Sequence, residues 1–273
     1  MKKIILCADD YGQNQSISQA IIQLIEKKRL SATSCMTNAP EWDSQAKWLH
    51  AHQDTVDIGL HLNFTEGQPL STEFSKKYGG RMLPLSKLLI SAFLKKLNKK
   101  VLLAEIHAQI DSFIDSIGRL PDFIDGHQHT HQFPVIRDAL LEAYDQRFKG
   151  KNIYLRNVFI KSFDNEALFK KWIIHYGGGR SFKVELQKNK IPHNSSFSGI
   201  YDFIDNRYDQ KFNNFLSQIK HKGLIMCHPG LKNENNSDGI HQARLREFEY
   251  LMSNAFLDAC AANDVKIERF CCI

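Results

Sequence analysis

IILCADDYGQNQSISQAIIQLIEKK, residues 4–28, reads as a buried strand, a turn and an amphipathic helix in direct succession. The apolar run Ile4–Ala8 stops at the acidic pair Asp9 and Asp10. From Asn14 to Lys28, Ile17, Ile21, Leu24 and Ile25 then recur at helical spacing. The alternation repeats. Strands are expected at Ser31–Asn38, Asp57–Phe64, Phe123–His131, Asn152–Ile160, Gly223–Gly230 and Val265–Phe270. Helices are expected from Pro40 through Trp48, capped by Asn38, and over Val101–Ile117, Pro134–Tyr144, Asn206–Lys220 and Arg244–Ala262. Such units imply an α/β fold, a parallel sheet with helices outside. Roughly seven or eight strands favour a closed or slightly broken (β/α) barrel over an open sheet. The segment Thr65–Lys100 breaks the rhythm with Gly79–Gly80, Pro84 and an apolar patch, and is expected to be a lid-like insertion. Residues 161–204 read as irregular, and the run Gly177, Gly178, Gly179 lacks phosphate-loop spacing. No linker or repeat divides residues 1–273, so one domain is expected.

Composition narrows the function classes. The 273 residues carry a net charge of +6, with 42% hydrophobic and 24% charged residues, ordinary for a globular protein. The lysines are scattered, a pattern of solvated faces rather than a nucleic-acid patch, and no apolar run approaches about 18 residues, so neither nucleic acid nor a membrane is expected as a partner. The apolar run after Lys2 and Lys3 is too short for a signal peptide and is interrupted by aspartates. Six cysteines occur without a C-x-x-C pair, which points to reduced thiols and a cytoplasmic setting. The vicinal Cys271 and Cys272 offer a redox element as an alternative, but such a pair is more often incidental.

Polar residues gather at expected strand ends: Asp9 and Asp10; His61 and Asn63; Asp125, His127, His129 and His131; Arg156; His228. In a parallel barrel those ends share one rim, where active sites form. One such histidine is usually a satisfied core residue. Several are harder to explain structurally, since each buried one needs a partner. Alternation along a strand would point His127 and His129 the same way, about 6.6 Å apart, as a metal-binding pair. His61 with His127, from neighbouring strands, is the competing pair, and spacing leaves both open. Asp9 and Asp10 reach one site only if the chain turns there, which Gly12 permits.

ADDYG (Ala8–Gly12), GLHLNFTEG (Gly59–Gly67), DGHQHTHQFP (Asp125–Pro134) and MCHPG (Met226–Gly230) together resemble the YdjC family of carbohydrate deacetylases, the chitooligosaccharide deacetylase (ChbG/HpnK) type. Tyr11 replaces the family's usual Phe, and Gln128 interrupts a histidine run common in the family. The resemblance spans nearly the whole chain. It implies a (β/α) barrel with a divalent metal, usually magnesium, held by Asp10, His61 and His127. Ligand type alone favours zinc, manganese, cobalt or iron, since magnesium prefers oxygen. The expected chemistry is hydrolysis of the N-acetyl group of an acetylated amino sugar or short oligosaccharide. Asp9 is expected as the base and His228 as the acid. Arg156, His129 and His131 are expected around the substrate, Arg156 orienting Asp9 or forming a structural ion pair. A homodimer is left open. The alternatives are a metal-dependent hydrolase of another amide or ester and a non-catalytic sugar-binding protein. An iron oxygenase with two His and one carboxylate usually draws a His and the carboxylate from one H-x-D/E motif, and no such motif supplies the candidate ligands here.

Overall fold

A computed structural model describes residues 1–159, 175–204, 207–233 and 238–273. Its strands are β1 Lys2–Tyr11, β2 Ala32–Cys35, β3 Asp57–Leu62, β4 Phe123–Gly126, β5 Tyr154–Leu155, β6 Phe197–Ser198, β7 Leu224–Cys227 and β8 Val265–Ile267. They form one eight-stranded sheet in the order β5-β4-β3-β2-β1-β7-β6, with β8 paired to the start of β1. All these pairings are parallel. The sheet curls into a barrel-like form whose ends meet irregularly. A lone bridge joins Leu155 to His193, and the Asn157 amide donates to Asn194 Oδ1 at 2.8 Å.

The helices are α1 Gln15–Glu26, α2 Trp42–Gln45, α3 Thr72–Tyr78, α4 Leu85–Phe93, α5 Lys99–Ile117, α6 Ile136–Arg147, α7 Arg180–Lys188, α8 Tyr208–Gln218, α9 His241–Met252 and α10 Asn254–Ala262. Asn14 caps α1 by accepting from the Ile17 amide, which satisfies an orphan donor of the first turn. Residues Ile4–Tyr11 of β1 are all buried, as a strand covered on both faces requires. Ile4, Leu6 and Ala8 pack with Ile17, Ile21 and Leu24 of α1. Ile5 and Cys7 join a separate cluster with Ala32, Phe123, Tyr154, Leu224 and Met226. This alternation places Asp9 two residues above Cys7 on the same side of the strand.

Several expected elements differ. The helix expected over Arg244–Ala262 is two helices, α9 and α10, broken where Ser253 is extended (ψ 163°). Asn38 caps nothing; its amide donates to the carbonyls of Glu66 and Gln68, 3.1 Å each. The strand expected over Asn152–Ile160 shrinks to β5, and Ile160 lies outside the described residues. Residues expected to be irregular contain α7 and β6, while 161–174 lie outside the description. The insertion after β3 folds as α3 and α4. Phe93 of α4 packs 6.4 Å from Phe133, just beyond the histidine-rich turn. No helix of the described residues is long and apolar enough to cross a membrane. The cysteines are all free thiols, with Cys7, Cys35, Cys227 and Cys260 buried.

Candidate active site

Two backbone irregularities build the site. β1 and β2 pair in register at Ala8–Thr33 and again at Tyr11–Cys35, so β1 carries one extra residue across Asp9 and Asp10. Asp10 takes a positive φ of 68°. This bulge turns two successive carboxylates into one cleft. The turn therefore starts at Asp10 itself, two residues before Gly12, whose own φ is 90°.

The second irregularity ends β4 at Gly126. Gln128 and His129 both adopt left-handed backbone, φ 53° and 57°, and the chain coils into a short 3-10 turn over His127–Gln132. Gly126 is needed there, because a Cβ would lie 2.9 Å from the His131 Cβ. Strand alternation thus stops before it can pair His127 with His129, which corrects that reading.

Register supplies the partner instead. His61 of β3 lies opposite Asp125 of β4. One ligand atom each from Asp10, His61 and His127 lies within 4.8 Å of the others. Asp10 Oδ1 is 3.3 Å from His61 Nε2 and 2.9 Å from His127 Nδ1. Each group is also held from behind. Asp125 Oδ1 is 2.6 Å from His61 Nδ1, Glu66 Oε1 is 3.0 Å from His127 Nε2, and Arg244 Nη2 donates to Asp10 Oδ2 at 2.7 Å. Carboxylates behind imidazoles are how metal-binding histidines are oriented, so this donor set fits a divalent cation. Burial alone would lower His61, but Asp125 and Asp10 outweigh it and hold the ring at about 10. His127, likewise pushed down by burial, is held at about 9 by Asp10 and Glu66.

Cys7, Asp9 and Asp125 form a second cluster of similar size, but it already holds a cation. Arg156 Nη2 is 2.6 Å from Asp9 Oδ1, 2.5 Å from Asp125 Oδ2 and 3.1 Å from Cys7 Sγ, while Nη1 donates to Asp9 Oδ2 at 2.7 Å. Burial would raise Asp9, yet this fork holds it well below the usual carboxylate range. Arg156 and His131 are both 0% exposed, about as buried as Asp9, Asp10 and His61. His131 Nε2–H donates to the Arg156 carbonyl at 3.0 Å, and burial lowers the ring to about 4. Of the residues expected around the substrate, these two pack against Asp9, Asp125 and the Arg156 backbone. His129 stands edge-on to Phe197 and His131. His228 Nε2 lies 4.0 Å from Asp9 Oδ2, and burial pushes its ring down to about 4.

A family model described as YdjC-like protein matches residues 3–262. The chain belongs to the YdjC-like family. It is 29% identical to a carbohydrate deacetylase of Danio rerio over 52% of this chain and 46% of that protein, about half the relative's length. It is 26% identical to a chitooligosaccharide deacetylase of Yersinia enterocolitica over 93% of this chain and 92% of the relative. A crystal structure from Enterococcus faecalis V583, described as a cellobiose-phosphate cleavage protein, superposes with a TM-score of 0.75 at 23% identity. It covers 98% of this chain and 97% of that one, and so supports the fold.

Three residues of this YdjC-like chain escaped the sequence reading: Glu66, Arg244 and Glu247. Glu66 sits inside the quoted motif GLHLNFTEG, a signal that was available. Arg244 and Glu247 lie on α9, where nothing in the helical pattern marks them.

Proposed function

We propose that this protein hydrolyses the N-acetyl group of an acetylated amino sugar or short oligosaccharide, releasing acetate and a free amine. One divalent ion is held by Asp10, His61 and His127. The observation that carries the reading is the convergence of these groups, each backed by a charged partner, beside Asp9 and His228. Relatives named as carbohydrate and chitooligosaccharide deacetylases support it. When bound, the ion supplies Lewis acidity toward the acetyl carbonyl and water. Two imidazoles favour zinc or another transition metal over the magnesium that the family resemblance implies.

Asp9, kept ionised by Arg156, accepts the proton of the attacking water. His228 enters uncharged, since its ring sits at about 4. The proton it delivers to the departing nitrogen is therefore one it acquires in the site, and Asp9 at 4.0 Å is placed to pass it on. Water's oxygen ends in acetate, the carbon–nitrogen bond breaks, and the proton ends on the amine. His129, beside this pair, is proposed to meet the substrate.

The test is acetate release from N-acetylglucosamine oligomers, with chelator and after adding back single metals. Chelation should abolish turnover. Asp9→Asn should keep the metal and lose roughly 10²–10⁴-fold in kcat. Acetate release that survives both chelation and His61→Ala would reject the reading.

A further inference from the structure

Helix α9 meets the candidate site at two points one turn apart. Arg244, 3% exposed, donates from Nη2 to Asp10 Oδ2 at 2.7 Å and to Gln13 Oε1 at 3.2 Å. Glu247, 0% exposed, accepts the backbone N–H of His228 on Oε2 at 2.5 Å. The turn after His228 is stitched to the helix again, because the Gly230 amide donates to the Arg244 carbonyl at 3.1 Å. The packing is close enough that a Cβ on Gly230 would lie 3.1 Å from that of Arg244.

A buried carboxylate is costly, and one spent on a backbone amide beside a reacting histidine calls for a role. The i and i+3 positions of a helix share a face. Asp10 ends up on one residue of that face and the His228 turn on the other.

We propose that α9 is a positioning helix. Arg244 fixes the Asp10 carboxylate, and Glu247 fixes His228 through its amide, so that one rigid element sets the distance between metal ligand and proton donor. This rests on the ligand and acid roles proposed above. Neither residue touches substrate; both act through another group. Precise placement of the reacting groups is where such support counts, since small displacements cost large factors in rate.

The protein and its single variants test this with three readouts: zinc affinity by calorimetry, steady-state acetate release, and hydrogen exchange of the His228 amide. Glu247→Ala should keep zinc affinity within about twofold. It should lower kcat by about tenfold or more with KM little changed, and speed His228 amide exchange. Glu247→Gln still offers an oxygen to that amide and should recover most of kcat and protection. Arg244→Gln should do the reverse, weakening zinc about 10–100-fold with His228 exchange unchanged. Arg244→Lys, with a charge but no fork, should fall between. Equal losses of zinc affinity in both helix variants, failure of Glu247→Gln to rescue, or an unmoved His228 amide would overturn the proposal. A wild-type protein releasing no acetate would instead sink the deacetylase reading, while zinc titration and amide exchange still decide the clamp.

Discussion

Glu66 Oε1 lies 3.0 Å from His127 Nε2, 61 positions along the chain. That contact closes a ring. Glu66 Oε2 accepts from Gln13 at 2.9 Å, Gln13 Oε1 accepts from Arg244, Arg244 reaches Asp10, and Asp10 Oδ1 faces His127 again. A carboxylate on the far nitrogen of a ligand imidazole fixes its tautomer and raises its basicity. Glu66→Ala should therefore lower zinc affinity about 10–100-fold. Competition against a chelator of known affinity measures the loss. Unchanged affinity would reduce Glu66 to a rim residue.

The fold was legible because apolar runs and helical periodicity are local signals. They found β1, α1, β3, α5 and β7 close to their observed positions. The candidate metal constellation was only partly legible. Strand alternation could not foresee that two left-handed residues, Gln128 and His129, would end the strand at Gly126. Nor could any local pattern bring Arg244 to Asp10, which are 234 residues apart. Arg156 was visible as a charge in an apolar run, but its burial against Asp9 and Asp125 depends on distant strands curling together.

The raised imidazoles make metal binding a proton exchange. With His61 held at about 10 and His127 at about 9, both rings are protonated at neutral pH, and an ion must displace those protons. Binding should release roughly two protons per ion, and apparent affinity should climb with pH until the rings ionise unaided. Calorimetry in buffers of different ionisation enthalpy counts them. Release of none would mean that the rings are already neutral or do not bind the ion.

Arg156 separates a supporting role from a substrate contact. It is wholly buried between Asp9 and Asp125. Arg156→Met leaves two buried carboxylates facing each other, a break that typically costs about 3–5 kcal/mol. Thermal unfolding should show a large drop in Tm, and Arg156→Lys should recover little of it, because an ammonium cannot reproduce the fork. A variant with unchanged Tm and only a raised KM would return Arg156 to the substrate.

Glu247 should leave its mark on stability itself. Burial lifts its carboxyl from 4.5 to about 7, more than the His228 amide and Tyr201 bring it down. Between those values the folded chain keeps a proton that the unfolded chain has released. The unfolded state then binds fewer protons, so stability falls as pH rises through that window. Below it both states are protonated and above it both are ionised, so the contribution is flat at each end. The full drop is on the order of 3 kcal/mol for such a shift. Glu247→Gln removes this one slope and leaves the opposing ones of His131 and His228, both lowered from 6.5 to about 4, which the two proteins share. Urea unfolding of the metal-free proteins at several pH values across the window should therefore show the variant gaining on the wild type as pH rises. Two curves that stay parallel would mean that Glu247 ionises normally, and that the His228 amide is bound by a carboxylate at no cost.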